Sequence, residues 1–426
     1  MTRQGPVPHH LLPDSAAVDE RGHLSVGGVD LLALAEQYGT PLFVYDEEHL
    51  RTRCREAVAA FGDGVAYASK AFLCTAIAKL VHEEGMHIDV ATRGELHVVL
   101  AAGVPPDRIV FHGNNKDADE IAEALAAGVG RIVIDSQDEI DRIEALVRAG
   151  ANIPRVLIRV TPGVKAETHD FISTGQDDSK FGFGVRSGMA KAATERVIAS
   201  TAMDLVGIHY HIGSQVFRVE SMAEALRVVA DFSAPYQLAE LSVGGGIGVA
   251  YVEDERTPSI AAWASMVIEA ADSLGVDAKL VAEPGRSIVA SAGVTLYTAG
   301  TIKTLPGIRT YVAVDGGYGD NARPQLYGSD YTTFLPRCVE ADRPNIVRLV
   351  GKHCESGDVL VMEAPVPDDL VVGDVIATPV TGAYGHSMGS NYNKVLRPPV
   401  VFVSNGVARL VVRRETTDDL LLTDLG

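Results

Sequence analysis

Between Val65 and Arg286 the chain alternates apolar, strand-like runs with helix-like stretches, and this repeat restricts the possible folds more than any other feature. The strand-like runs are Val65–Lys70, His87–Ala91, Arg108–Gly113, Arg131–Ser136, Arg155–Val160, Val206–Gly213, Leu241–Gly246 and Lys279–Arg286. Asp117–Ala127, Gln137–Ala149, Val219–Phe232 and Ile260–Leu274 carry apolar residues three and four apart, the spacing of an amphipathic helix. Eight βα units are the count for a closed (β/α)8 barrel. An open doubly wound sheet needs no particular number of strands and predicts a dinucleotide-binding glycine fingerprint after the first strand, where this sequence has none.

After Arg286 the alternation stops, and strand-like runs follow without long helices between them. Ser404-Asn405-Gly406 reads as a hairpin turn between the last two, because Asn-Gly tolerates the positive φ of a type I′ turn. A chain of 426 residues also exceeds the length over which one core keeps growing. The expected architecture is therefore α/β plus all-β: a TIM-type barrel over 41–290 and an antiparallel β-domain over 291–426. The segment 1–40, with a strand candidate at His23–Val26 and a helix candidate at Val29–Tyr38, completes the second domain.

The balance of 56 acidic against 37 basic residues gives a formal charge of -19, which repels a phosphate backbone and an anionic membrane surface alike. No run of eighteen predominantly apolar residues occurs, so neither nucleic acid nor a membrane is an expected partner. Cys54, Cys74, Cys338 and Cys354 lack metal-type spacing, and the start of the chain lacks a basic-then-apolar signal, which points to a reduced, cytoplasmic protein without a bound metal.

In such barrels chemistry sits at the carboxyl ends of the strands. Here these ends supply Lys70, Asp89, His112, Asp135, Arg159, His209 with His211, Gly244-Gly245-Gly246, and Glu283 with Arg286. Lys70 closes an apolar run, where a desolvated amine would lose its proton readily and condense with an aldehyde. The glycine triplet follows the seventh strand, at the usual phosphate site of the fold, where glycines let backbone N–H groups approach an anion. His209 and His211, two apart on a strand, share one face; with His112, Asp89 and Glu283 they also suit a metal, so a metal-dependent barrel hydrolase is a rival class. On the milder reading, His211 stacks on a flat cofactor and His209 is core.

Tyr67-Ala-Ser-Lys70-Ala, His209-Tyr-His211-Ile-Gly-Ser214-Gln, the glycine triplet, Glu283-Pro-Gly-Arg286, Arg323-Pro-Gln-Leu-Tyr327, His353-Cys354-Glu355-Ser356-Gly-Asp and Gly382-Ala-Tyr384 together closely resemble the diaminopimelate decarboxylase family, in the family's order from about Gly39 to about Asn393. The resemblance implies a pyridoxal 5'-phosphate enzyme of the alanine-racemase-like fold, assembled as a homodimer with shared active sites. It implies cofactor contacts from Lys70, Asp89, His211, Ser214, Gly245, Gly246, Glu283, Gly285, Arg286 and Tyr384, with Glu283 holding the ring nitrogen protonated. It assigns an amino-acid substrate to Arg286, Arg323, Tyr327, Glu355 and Tyr384, and proton donation to Cys354, supplied with Glu355 by the other subunit. The expected reaction is decarboxylation of meso-diaminopimelate to L-lysine. The alternatives are a related decarboxylase of another basic amino acid, the barrel hydrolase, and a non-catalytic pyridoxal-phosphate carrier. The chain departs from the family's commoner residues at Ala91-Thr92-Arg93 and at Tyr318-Gly319.

Overall fold

In the computed structural model, which describes residues 5–164, 175–176, 178–217 and 219–426, the repeat becomes eight parallel strands. The first four residues of the polar start lie outside the described residues. The strands are β1 (Ala66–Ala68), β2 (His87–Val90), β3 (Ile109–Phe111), β4 (Arg131–Ile134), β5 (Arg155–Thr161), β6 (Asp204–Tyr210), β7 (Glu240–Ser242) and β8 (Lys279–Val281). Each pairs with its sequence neighbours, and the short strand Phe183–Gly184 adds to β5. The ends meet as well. Ala66 N–H donates to Ala282 O at 2.9 Å and Ala68 N–H to Pro284 O at 3.1 Å, so β1 hydrogen-bonds to the chain at and just beyond β8 and the barrel closes.

Side chains fill the interior, with Ala66, Val110, Val133, Leu157 and Val206 forming one buried cluster. Parallel strands covered on both faces read as continuous apolar runs, which is why the alternation was visible in sequence. The helices begin where their capping residues dictate. Asp117 accepts from Glu120 N–H at 2.8 Å while the Glu120 carboxylate accepts from Asp117 N–H at 3.1 Å, so helix Ala118–Ala127 starts in a capping box. Ser136 and Ser259 cap helices Gln137–Arg148 and Ile260–Ser273 in the simpler way.

The chain divides into two compact units: Arg53–Gly248 with Thr257–Ser287, and Met1–Thr52 with Val249–Arg256 and Ile288–Gly426. The second contains a three-stranded sheet of Ala17–Val18, Leu24–Val26 and Val29–Asp30, and an eight-stranded, mostly antiparallel sheet. Helix Leu31–Tyr38 starts two residues later than the candidate at Val29, because Asp30 turns its carboxylate onto Leu32 N–H at 2.7 Å as an N-cap. Leu42–Asp46 was counted in the barrel by the 41–290 division, yet it pairs with Gly293–Leu305 and Val400–Ser404 in the larger sheet. All five of its residues are buried, and such a run cannot announce which sheet it will join. Asn405 and Gly406 have φ of 53° and 76°, the left-handed pair expected of the hairpin turn. Among the described residues no helix is long and apolar enough to cross a membrane.

One buried ion pair braces the strand ends. Lys116 Nζ lies 2.8 Å from Glu139 Oε1 and donates to Gly113 O at 2.7 Å and Val133 O at 2.9 Å; both residues are about 1% exposed. Lys116→Met removes the cation and leaves the carboxylate buried, so unfolding in urea at pH 8 should show a loss of about 3 to 5 kcal/mol. Burial already raises the Glu139 pKa, so the loss should shrink in mildly acidic buffer, where the carboxyl takes up a proton.

Candidate active site

β1 ends at Ala68, and Ser69–Ala71 forms a 3-10 turn that places Lys70 just past the strand rather than within it. The turn takes Lys70 out of the fully buried strand, and the residue is exposed in the chain alone, in contrast to the expected desolvated amine. Its charge nonetheless acts on Asp89 and His211, so the amine belongs to the same end of the barrel.

The centre of that end is Glu283, 7% exposed and just beyond β8. Its Oε1 accepts from Ser242 Oγ at 2.8 Å and lies 3.5 Å from His112 Nε2; its Oε2 lies 3.0 Å from His209 Nε2. Burial opposes ionisation, but His209 and His112 outweigh it and hold the carboxyl well below the usual range. His209 itself is pushed down to about 4 by burial, so near neutral pH it is an uncharged ring whose Nε2–H donates to Glu283. The reading of His209 as plain core is therefore incomplete: it is buried and also orders the carboxylate. Ser242 was not anticipated at all. It sits two residues before the glycine triplet on a strand too short for its alternation to single it out.

His112, His209 and Glu283 offer ligand atoms within 4.8 Å of one another, the ligand types and proximity of a metal site. The rings of His112 and His209 meet edge to face, with centroids 5.0 Å apart. Asp89 Oδ2 lies 4.0 Å from His112 Nε2. On the same rim Arg159 Nη1 lies 3.6 Å from Asp135 Oδ2, and its guanidinium covers the Phe181 ring at 4.3 Å.

The glycine loop follows β7. Gly244 has φ +64° and Gly246 φ +110°, and an added Cβ at either would strike the backbone of the neighbouring loop, at Tyr210 O and Gly213 O respectively. Gly245 N–H donates to His211 Nδ1 at 3.3 Å, and Val216 N–H to Gly246 O at 2.9 Å, which straps this loop to the one after β6. His211 is held well below its ordinary pKa by burial and then by the charges of Lys70 and Arg159; neutral and accepting at Nδ1, it carries its proton on Nε2. Arg286 is 6% exposed and donates from Nη2 to Ser214 Oγ at 2.9 Å. A Cβ on Gly285 would meet the Ala68 side chain at 2.8 Å, so Gly285 permits the close approach of the β1 and β8 ends.

Within the second unit, Arg323–Tyr327 forms a one-turn helix, which puts Arg323 and Tyr327 on one face. Gln325 Nε2 ties it to Val359 O at 2.6 Å. The loop from His353 is organised by Asp358, whose carboxylate accepts from His353 N–H at 2.8 Å and Tyr318 N–H at 2.7 Å. Gly319 N–H donates to His353 Nε2 at 3.2 Å and Cys354 N–H to Asn393 Oδ1 at 2.8 Å. Cys354 and Glu355 are exposed on this braced loop, and Tyr384 is half-buried with φ +65°, a strained conformation for a tyrosine.

Burial is the largest influence on Asp89 and, with Glu283 adding to it, lifts its pKa to about 7 against the pull of His112 and Lys70. An unfolded aspartate titrates near 3.9, so between about pH 4 and 7 the folded state binds the extra proton and stability falls as pH rises. Asp89→Asn removes that proton. Thermal unfolding of the cofactor-free protein should show the variant losing less Tm than wild type between pH 5 and 8; parallel profiles would contradict the assignment.

The family described as "Pyridoxal-dependent decarboxylase, pyridoxal binding domain" matches residues 47–290, more than half of the chain. A diaminopimelate decarboxylase of Mycobacterium tuberculosis is 47% identical over 433 residues, covering 97% of each chain. That of Bacillus subtilis is 44% identical over 97% of this chain and 98% of its own. The crystal structure of diaminopimelate decarboxylase from M. jannaschii, in co-complex with L-lysine, superimposes with a TM-score of 0.90 at 32% identity, over 97% of this chain and 98% of that one. With identity of this extent running through both units, the chain belongs to the diaminopimelate decarboxylase family of pyridoxal-dependent carboxy-lyases.

Proposed function

We propose that this chain decarboxylates meso-diaminopimelate to L-lysine and CO2 with pyridoxal 5'-phosphate, as the last step of lysine biosynthesis in the cytoplasm. The observation that carries the reading is the buried Glu283 carboxylate, held ionised by two histidines on a barrel end whose rim also bears Lys70 and a glycine cradle. The donor set fits the cofactor on physical grounds. Positive-φ glycines leave no room for side chains where backbone N–H groups would meet a phosphate, and an ionised carboxylate in a buried site suits a ring nitrogen that must stay protonated. Among the described residues the four cysteines form no disulfide, which accords with a reducing compartment.

Lys70 would hold the aldehyde carbon, neutral His211 the ring face, Gly245, Gly246, Ser214 and Gly285 the phosphate neighbourhood, and Glu283 the ring nitrogen, with Asp89 close by. When bound, the cofactor supplies an electron-withdrawing ring that accepts the electron pair left as the carboxylate departs. Ser242, His209 and His112 keep Glu283 ionised and fixed in place during that demand. Arg286, Arg323, Tyr327 and Tyr384 would orient the substrate, guanidinium groups being suited to paired hydrogen bonds with its carboxylates. Glu355 would hold the distal ammonium, and Cys354 would deliver the proton that replaces CO2.

Loaded with pyridoxal phosphate, the protein should release CO2 from meso-diaminopimelate at least tenfold more efficiently than from lysine or ornithine, which leave arginine donors unpaired. Equal efficiency on the smaller amino acids would favour a decarboxylase of another basic amino acid. Lys70→Ala should stay folded yet yield no borohydride-fixed pyridoxyl peptide.

The homodimer with shared sites rests on the exposed Cys354 and Glu355, side chains that the reaction needs and that their own chain leaves at its surface. Mixing inactive Lys70→Ala with inactive Cys354→Ala subunits should restore partial activity, since a hybrid dimer has one site free of both defects. Demonstrated subunit exchange without recovery would mean that each chain builds its own site.

A further inference from the structure

Arg323 is a guanidinium buried to 4% exposure, and among the described residues no carboxylate lies within ion-pairing distance of it. A buried, permanently charged group without an anion is costly. Two tyrosines surround it instead. Its Cζ sits 4.0 Å from the centre of the Tyr251 ring and 5.5 Å from that of Tyr331, its Nη1 donates to the Tyr331 hydroxyl, and the two rings meet edge to face at 5.2 Å. Among the described residues neither Nε nor Nη2 meets an acceptor, and these two nitrogens form an edge that pairs with a carboxylate through two parallel hydrogen bonds.

The tyrosines come from distant parts of the sequence but are locked to one another. Tyr251 lies in Val249–Arg256, the segment that runs on from the glycine loop and folds into the second unit. Its N–H donates to Glu255 Oε2 at 2.7 Å. Glu253, two residues on, pairs with Arg343 Nη2 at 2.6 Å, and Arg343 Nη1 donates to Thr332 Oγ1 at 3.1 Å and Thr333 O at 3.0 Å, immediately after Tyr331. Arg343, 2% exposed, therefore pins both tyrosine-bearing segments with one side chain.

We propose that Tyr251 and Tyr331 are positioning residues for substrate specificity: Tyr251 fixes the plane of the Arg323 guanidinium by stacking, and Tyr331 fixes its rotation by occupying Nη1, so that the Nε–Nη2 edge is held ready for a substrate carboxylate. The inference rests on the reading of Arg323 as a carboxylate-binding residue. Stacking holds the fork in one orientation before substrate arrives, so its loss appears in substrate binding rather than in cofactor binding.

Steady-state kinetics of the pyridoxal-phosphate-loaded enzyme test this with meso-diaminopimelate. Tyr251→Leu should raise KM about tenfold, with kcat and the cofactor absorbance little changed, while Tyr251→Phe, which keeps the ring face, should restore KM to within about twofold of wild type. Added to Arg323→Lys, Tyr251→Leu should cost no more than about twofold further, because the fork it positions is already gone. An unchanged KM in Tyr251→Leu, or a full tenfold penalty in the Arg323→Lys background, overturns the inference and leaves the reading of Arg323 intact. An unaltered kcat/KM in Arg323→Lys alone overturns that reading and this inference with it. Should Tyr251→Leu fail to fold, Tyr331→Phe, which removes the hydroxyl that accepts from Nη1, carries the test: severalfold higher KM supports the clamp and an unchanged KM refutes it.

Discussion

Closure of the barrel is the constraint on which the site depends. The hydrogen bonds from Ala66 N–H to Ala282 O and from Ala68 N–H to Pro284 O join residues more than two hundred positions apart. Because they pair the length of β1 with the chain just beyond β8, they bring the Lys70 turn beside the Glu283-Pro284-Gly285-Arg286 segment. Gly285 is required at this seam, since any side chain there would press on Ala68. An amine, a carboxylate and a guanidinium thus converge because a backbone ring closes, and no direct bond between them is needed.

Within that ring, charge is distributed by environment rather than by residue type. Asp89 and Glu283 are both carboxylic acids and both nearly buried, yet one is pushed up to about 7 and the other held well below its ordinary value. The difference lies in their neighbours. Glu283 has His209 and Ser242 at hydrogen-bond distance and His112 at 3.5 Å, whereas Asp89 has His112 only at 4.0 Å and feels the charge of Glu283. Separating two like acids in this way gives one fixed negative charge and one carboxyl that titrates near neutrality at the same mouth, the kind of division that lets like groups take different acid–base roles.

The second unit solves a different problem, that of holding polar and reactive groups on irregular backbone. Asp358 satisfies two backbone N–H groups, His353 a third and Asn393 a fourth, so the loop bearing Cys354 and Glu355 is fixed although both side chains are exposed. The departure at Tyr318-Gly319 falls on this same framework, with both of its N–H groups used as donors to the loop. Arg343 performs the equivalent task for the tyrosines around Arg323.

The sequence by itself determined the barrel and the strand-rich second domain, and put the candidate site residues at strand ends, because a two-sided parallel sheet writes its strands as apolar runs and a barrel puts its chemistry where those runs end. It did not determine that Leu42–Asp46 leaves the barrel for the other sheet, since a fully buried strand looks the same in either. Nor did it show that Lys70 stands exposed on a 3-10 turn, that His209 and Ser242 hold Glu283, or that Tyr251 and Tyr331 enclose Arg323. Local pattern records what each residue does to its own segment. The side-chain relations among these join residues from 8 to 74 positions apart, and only the tertiary packing that sets their distances could decide them.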